Sequence, residues 1–330
     1  MMKAVLVPKP GGAEQLTLGE YPKPQVQPHE ILVKVKATAL NRADLLQREG
    51  KYPPPPGASP ILGLEMAGIV EEVGDECREQ WKSGDRVFGL LPGGGYAEYA
   101  VISGEMALRI PDPFTFEEAA AIPEVFLTAY QTLCWVGKLQ EGETVLVHAG
   151  ASGVGTAAIQ LATSLGAKVI VTVGSEEKAQ VCLQLGAVAA VNYKKGPFVE
   201  EVKRANEGRG VQLILDFVGA SYWQQNVDVL EPDGRLVLIS TLGGTRIDSF
   251  SLGPILTKRL QVTGTTLRSR SLSYKTKLTQ EFATYALPRF KTGELKPVID
   301  QVFSWEEVQA AHRYMEENKN IGKIILRVHP

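Results

Sequence analysis

Two hydrophobic patterns divide this chain. Along residues 1–123, short apolar runs at Ala4–Pro8, Ile31–Ala39, Ala67–Glu72, Arg86–Leu91 and Tyr96–Ile102 are separated by Gly and Pro. Such punctuation predicts strands joined by turns, and here an all-β, barrel-like module. From about residue 124 to 266 the pattern changes to apolar strands alternating with helical repeats, which predicts a parallel sheet with crossover helices. Six strands are expected there: Glu143–His148, Lys168–Val173, Ala189–Asn192, Val211–Asp216, Arg235–Ser240 and Leu260–Thr265. Six is the full number of a doubly wound sheet. Ser273–Lys291 and Trp305–Asn318 read as helices and Lys323–Val328 as a strand, a tail expected to rejoin the first module. The expected fold class is α/β, with domains at 1–123 plus 267–330 and at 124–266.

One stretch carries chemistry as well as pattern. In "VLVHAGASGVGTAAIQLATSLGAKVIVTVGS" (145–175), Val154, Ala157, Ala158, Leu161, Ala162 and Leu165 mark one helix face following an apolar strand. Between strand and helix lies the turn Gly150, Ala151, Ser152, Gly153, Val154, Gly155. A helix N-terminus offers free N–H groups and partial positive charge, which suit a pyrophosphate. Glycines let the phosphates approach the backbone, and Ser152 adds a hydroxyl donor. The strand–turn–helix–strand context favours a dinucleotide over a glycine turn that serves packing alone.

The second strand decides which dinucleotide. An NAD site places Asp or Glu at its end to bind the ribose 2′-hydroxyl. Here it ends in Gly174-Ser175, with Lys178 three residues on. Space, a hydroxyl and a cation suit a 2′-phosphate, so NADPH is the expected cofactor. The contrary reading makes Glu176 the ribose acid, and Lys178 a solvated residue paired with nearby acids.

Composition excludes several classes. The 330 residues are 44% hydrophobic and 22% charged with a net charge of −2, which gives no electrostatic reason to expect a nucleic-acid partner. Cys77, Cys134 and Cys182 lie far apart and form neither a zinc pattern nor a disulfide framework. The N-terminus lacks a secretory signal and no run of 18 apolar residues occurs, so a soluble, cytoplasmic protein without a membrane partner is expected. Among the histidines, His148 is expected beside the glycine turn, and His29, His312 and His329 on surface segments. Trp223 is expected in the core.

The segments "ATALNRADLLQREGKYPPPPGASPILGLE" (37–65), "LLPGGGYAEY" (90–99), "HAGASGVGTAAIQL" (148–161), "LGAVAAVNYK" (185–194), "LILDFVGASYW" (213–223) and "NKNIGKIIL" (318–326) together resemble the medium-chain dehydrogenase/reductase superfamily. Within it they are similar to the zeta-crystallin-like quinone oxidoreductases. The resemblance implies a GroES-like β-rich catalytic domain plus a six-stranded parallel Rossmann domain, with NADPH in the cleft between them. It implies a quinone as small-molecule substrate and a homodimer or homotetramer. It also implies Ser152, Gly174, Lys178, Tyr193 and Asn320 near the cofactor, Asn41, Asp44 and Tyr52 near the reacting ring, and Arg268 at the cleft edge.

The zinc alcohol dehydrogenase branch has Cys where Asn41 stands and His where Leu64 stands, so no metal is expected here. That loss has a chemical logic. Hydride reduction of a simple ketone yields an alkoxide, whose conjugate acid has a pKa of about 16, and needs a Lewis acid or a placed proton donor. A quinone yields a phenolate, whose conjugate acid has a pKa of about 10, and water suffices to protonate it. Asn41 and Tyr52 stand as candidate hydrogen-bond partners of the acceptor, against structural roles as a strand-end brace and a loop anchor. Three readings remain open. The first is NADPH-dependent quinone reduction, with or without release of semiquinone and superoxide. The others are reduction of enals or enones, and a non-enzymatic NADPH-binding stress or RNA-associated role.

Overall fold

The computed structural model describes residues 1–328, and His329 lies outside them. The chain forms two units, Met1–Leu127 with the segment from Arg268 onward, and Thr128–Leu267.

The first part of unit one contains β1 (Met2–Leu6), β2 (Thr17–Tyr21), β3 (Glu30–Ala39), β4 (Glu65–Val73), β5 (Arg86–Leu90), β6 (Tyr99–Ser103) and β7 (Leu108–Arg109). Three helices join them, α1 (Arg42–Arg48), α2 (Phe116–Ala120) and α3 (Pro123–Tyr130). The module is therefore not all-β. Helix α1 was hidden because only Ala43, Leu45 and Leu46 are apolar in its seven residues; what starts it is polar, the Asp44 carboxylate accepting the Asn41 N–H. Strand β2 was hidden because its residues are largely exposed. Tyr96 belongs to the turn before β6 and is fully buried.

The second unit holds six parallel strands: β8 (Thr144–Val147), β9 (Lys168–Val173), β10 (Ala189–Asn192), β11 (Val211–Asp216), β12 (Leu230–Leu238) and β13 (Gln261–Gly264). Helices α4 (Gly153–Ser164), α5 (Glu176–Gln184), α6 (Val199–Ala205), α7 (Trp223–Val229) and α8 (Gly253–Thr257) connect them. The order β10-β9-β8-β11-β12-β13 reverses direction between β8 and β11, and ligands of such sheets bind at that switch point. Leu146, Ile170, Ile214, Val227 and Leu236 pack one core cluster, each side chain contributing roughly 1.5–3 kcal/mol by burial. Trp223 is only half-buried at the margin of that cluster, stacked edge-on against Phe250 at 5.1 Å.

The remaining chain returns to unit one through α9 (Leu272–Thr292), β14 (Ile299–Ser304), α10 (Val308–Glu316) and β15 (Lys323–Arg327). Strand β15 lies between β14, to which it is parallel, and β3, to which it is antiparallel. The sheet order is β14-β15-β3-β4-β5-β7, with β6 also paired to β3. Strand β14 went unseen in the sequence because it has no buried residue. No helix among the described residues is long and apolar enough to cross a membrane.

Candidate functional site

In the second unit the glycine turn follows β8 and opens α4. Ser152 caps the helix, its hydroxyl oxygen accepting the Gly155 N–H at 3.0 Å, while its own proton stays free to donate. A Cβ on Gly155 would stand 2.4 Å from the Ala149 carbonyl oxygen, so the helix meets the turn more closely than any side chain permits. Ala149 takes a left-handed φ of 50°, a conformation that non-glycine residues adopt at some cost.

Behind this turn lies a neutral polar ladder. His148 is fully buried; its Nδ1 faces the Thr172 hydroxyl at 2.9 Å and its Nε2 the Asn226 Oδ1 at 2.7 Å. Asn226 Nδ2 donates to Asp216 at 3.1 Å, and Asp216 also accepts the N–H groups of Val218 and Gly219. Nε2 therefore carries the His148 proton. Burial pushes the pKa of His148 down to about 4, so it is neutral at pH 7. The ladder ties together the ends of β8, β9 and β11, which carry the turn.

A second corner of this unit is built at Gly174. A Cβ there would lie 2.7 Å from the Tyr193 hydroxyl, so the missing side chain lets this half-exposed phenol sit over the end of β9. Ser175 caps α5 by accepting the Lys178 N–H at 3.2 Å. Gly174, Ser175, Lys178 and Tyr193 thus lie together at the carboxyl ends of β9 and β10.

In the first unit the candidates cluster differently. Lys323 and Glu65 form a buried ion pair at 2.8 Å, with 3% and 0% of their side chains exposed. Lys323 uses all three of its donors, to Glu65 Oε1, Asn41 Oδ1 and the Leu40 carbonyl, each at 2.8 Å. Asn41 Nδ2 donates to Glu65 Oε1 at 2.7 Å and more weakly to the Ala39 carbonyl. The other carboxylate oxygen, Oε2, accepts the Glu124 N–H at 2.8 Å.

Asn41 and Asp44 were expected near a reacting ring; the structure turns both inward. The Asn41 amide is consumed by Lys323 and Glu65. Asp44, 1% exposed, accepts the N–H groups of Asn41 and Gly63 at 2.8 and 3.0 Å. Desolvation raises its pKa to about 6. Both residues hold the β3–α1 junction in shape.

His312 corrects another expectation. It is fully buried, accepting Arg48 Nη1–H on Nδ1 at 3.1 Å and facing the Tyr96 hydroxyl with Nε2 at 3.3 Å. Tyr96 in turn reaches Asp44 at 3.4 Å. Desolvation and the Arg48 charge lower the pKa of His312 to about 3. Its neighbours on α10 gave no hint, because its partners come from α1 and the turn before β6.

Tyr52 and Arg268 do meet. The Arg268 guanidinium stacks 5.3 Å from the Tyr52 ring centroid, donates to Gln47 Oε1 at 2.7 Å and to the Pro92 carbonyl at 2.9 Å. Arg268 is 6% exposed, and its Nη1 has no acceptor among the described residues. Tyr52 is half-buried and desolvation raises its pKa, so it keeps its proton at neutral pH. Asn320 precedes β15 and donates to the Gly322 carbonyl at 2.8 Å. A separate cleft of about 480 Å³ in this unit, lined by Lys23, His29, Tyr99 and Pro92 among others, contains none of the expected site residues.

The two halves together define a two-unit oxidoreductase, a GroES-like unit joined to a doubly wound dinucleotide-type unit. Residues 27–112 match the alcohol dehydrogenase GroES-like domain and residues 153–284 the zinc-binding dehydrogenase family. Human quinone oxidoreductase is 32% identical over 99% of this chain and 98% of its own length. The zebrafish (Danio rerio) synaptic vesicle membrane protein VAT-1 homolog is 32% identical over 99% of the chain and 70% of its own length. The Escherichia coli quinone oxidoreductase solved with NADPH is 32% identical, with a TM-score of 0.86 and 99% of both chains covered. The CurK enoyl reductase structure is 29% identical with a TM-score of 0.87 and 99% of both chains covered. The chain belongs to the quinone oxidoreductase-like family of the medium-chain dehydrogenase/reductase superfamily.

The zinc in one of those family descriptions does not fit here. Asn41 and Leu64 supply no strong ligand, and both oxygens of Glu65 are already occupied, one of them by an ammonium that repels a divalent cation. Among the described residues no group of three His, Cys, Asp or Glu stands in a ligating arrangement.

Proposed function

We propose that this chain is an NADPH-dependent, zinc-independent reductase of quinones. One observation carries the reading: Lys323, Glu65 and Asn41 satisfy one another in a buried cluster that leaves no ligand set for a Lewis acid, which favours an acceptor that needs none. When bound, NADPH supplies the hydride equivalent. The glycine turn and the α4 N-terminus would hold its pyrophosphate, with Ser152 donating its free hydroxyl proton. Gly174, Ser175, Lys178 and Tyr193 would hold the phosphorylated adenosine end, with Asn320 as a further cofactor contact. A 2′-phosphate meets a hydroxyl and a cation at that corner, whereas no carboxylate closes β9.

In the first unit, Tyr52 and the spare Arg268 Nη1–H would bind an acceptor oxygen and stabilise the charge it acquires. Asn41 and Asp44 act one step back by fixing the β3–α1 junction. Likeness to an enoyl reductase keeps enals and enones as the second substrate class. Oxidation of NADPH against NADH over a panel of ortho- and para-quinones tests the reading, with products assayed for semiquinone and superoxide. The expected result is quinone turnover with a clear NADPH preference. Tighter NADH binding, or purified protein carrying stoichiometric zinc, overturns it.

A further inference from the structure

Glu124 opens helix α3 directly after Pro123, and its main chain is pinned by the hydrogen bond from its N–H to Glu65 Oε2 at 2.8 Å. Its half-buried carboxyl makes no hydrogen bond with any described residue. Glu65 on β4, Lys323 on β15, Asp44 on α1, Arg268 and Tyr52 from their stacked pair, and Lys275 on α9 each lie within electrostatic reach of it. Lys275 also donates to the Arg268 carbonyl at 3.4 Å. The cluster thus sets a carboxyl that makes no hydrogen bond within electrostatic reach of a phenol and of a guanidinium whose Nη1 has no acceptor among the described residues.

We propose that Glu124 is the proton donor of the acceptor site. This rests on the reductase reading and extends it. Hydride adds to the acceptor, a π bond of its conjugated system breaks, and the electron pair comes to rest on oxygen. The Glu124 O–H bond then breaks as a new O–H bond forms on that oxygen, and the carboxylate recovers a proton from solvent. A quinone gives a hydroquinone; an enone attacked at its β-carbon gives an enol that tautomerises to the saturated ketone. Water protonates a phenolate readily, so the donor matters more for enals and enones, and it brings that class within range of a metal-free site.

Protonation at neutral pH is what such a role requires. Burial and the Glu65 charge push the Glu124 pKa up to about 8, against the opposing pull of Lys323 and Arg268. The acid form therefore dominates below about pH 8, and turnover that depends on it falls as pH rises through that value.

The test uses the whole protein and E124Q, a change that removes no hydrogen bond. First, carboxyl-carbon NMR of the free protein labelled in glutamate follows pH; a resonance titrating near 8 that vanishes in E124Q is expected. Second, pH profiles of kcat are taken with a para-quinone and a 2-enone. E124Q should lose about a hundredfold in kcat with the enone, only a few-fold with the quinone, and its alkaline limb. E124D should restore the limb. A Glu124 resonance titrating in the ordinary carboxylate range overturns the proposal, as does an E124Q enzyme with the wild-type enone rate or alkaline limb, since Lys275 or Tyr52 would then own that limb. Wild-type protein that turns over neither acceptor overturns the reductase reading and the donor role together; normal quinone turnover with an unaltered E124Q overturns the donor role alone.

Discussion

The two units solve the burial of polar groups in opposite ways. Unit one buries charge: Lys323 against Glu65, with Asp44 and Arg48 close by, each satisfied by several hydrogen bonds. Unit two buries neutral groups, with His148, Thr172 and Asn226 passing hydrogen bonds to one carboxylate, Asp216. The ladder braces the glycine turn and ends on a single acid, Asp216, held by N–H groups of Val218, Gly219 and Asn226 rather than by an ammonium. The ionic cluster sets an ammonium against a carboxylate, with the Asn41 amide completing both. Similar burial thus supports different chemistry according to whether the buried groups carry charge.

Breaking the ionic side should have the largest effect. Lys323→Met strands Glu65 and Asn41 in the interior and should cost about 3–5 kcal/mol in urea unfolding. Pairing it with Glu65→Gln should recover a good part of that loss; a single variant as stable as wild type would show that the cluster is not under tension. Breaking the neutral side should cost less. Asn226→Leu leaves His148 Nε2–H without a partner and takes one of two donors from Asp216 Oδ2, for a loss of about 1–3 kcal/mol. A loss equal to that of Lys323→Met would erase the contrast between the units.

An acid titration sharpens the comparison. His148 and His312 both have folded pKa values below the unfolded value, to about 4 and about 3, so the unfolded chain binds more protons below about pH 6.5. Their contribution is complete above that pH and is lost as pH falls toward the folded values, so Tm should decline across this window. Replacing either histidine by Gln should flatten part of the decline. Glu124 has the reverse sign: its raised pKa makes ionisation destabilising as pH rises from the ordinary carboxylate range through about 8. The Tm of E124Q should therefore overtake that of wild type toward pH 9. The smallest effect is expected at the surface, where Lys178→Ala should reduce the NADPH-over-NADH affinity ratio by about tenfold, the worth of one charge-assisted hydrogen bond.

How much of this was legible in the sequence follows from the distance over which each feature is encoded. Strands β9 and β11 are buried on both faces and rich in Val, Ile and Leu, so they were visible to the residue, while the edge strand β10 was marked by its short apolar run Ala189–Val191. The glycine turn and its capped helix are local and were equally plain. Strands β2 and β14 are exposed and bear no apolar alternation. The ionic cluster joins residues 258 positions apart, Glu65 and Lys323, which no window along the chain can bring together. A lysine at the head of the apolar run "KIIL" was the one signal available, since a charged residue in a buried strand demands a partner. Glu124 gave none, because its meaning comes from neighbours on β4, β15 and α9.

The position of β15 has a consequence for biosynthesis. This strand sits between β14 and β3, yet the whole of the second unit is translated before it. A ribosome therefore exposes β3 with Ala37–Ala39 unpaired on the flank that β6 covers at Glu30–Lys34, while the six-stranded sheet downstream is already able to close. The earliest-made unit is the last to be finished, and throughout that interval Glu65 waits for its ammonium. Chaperone demand during synthesis should be concentrated on that unmatched flank.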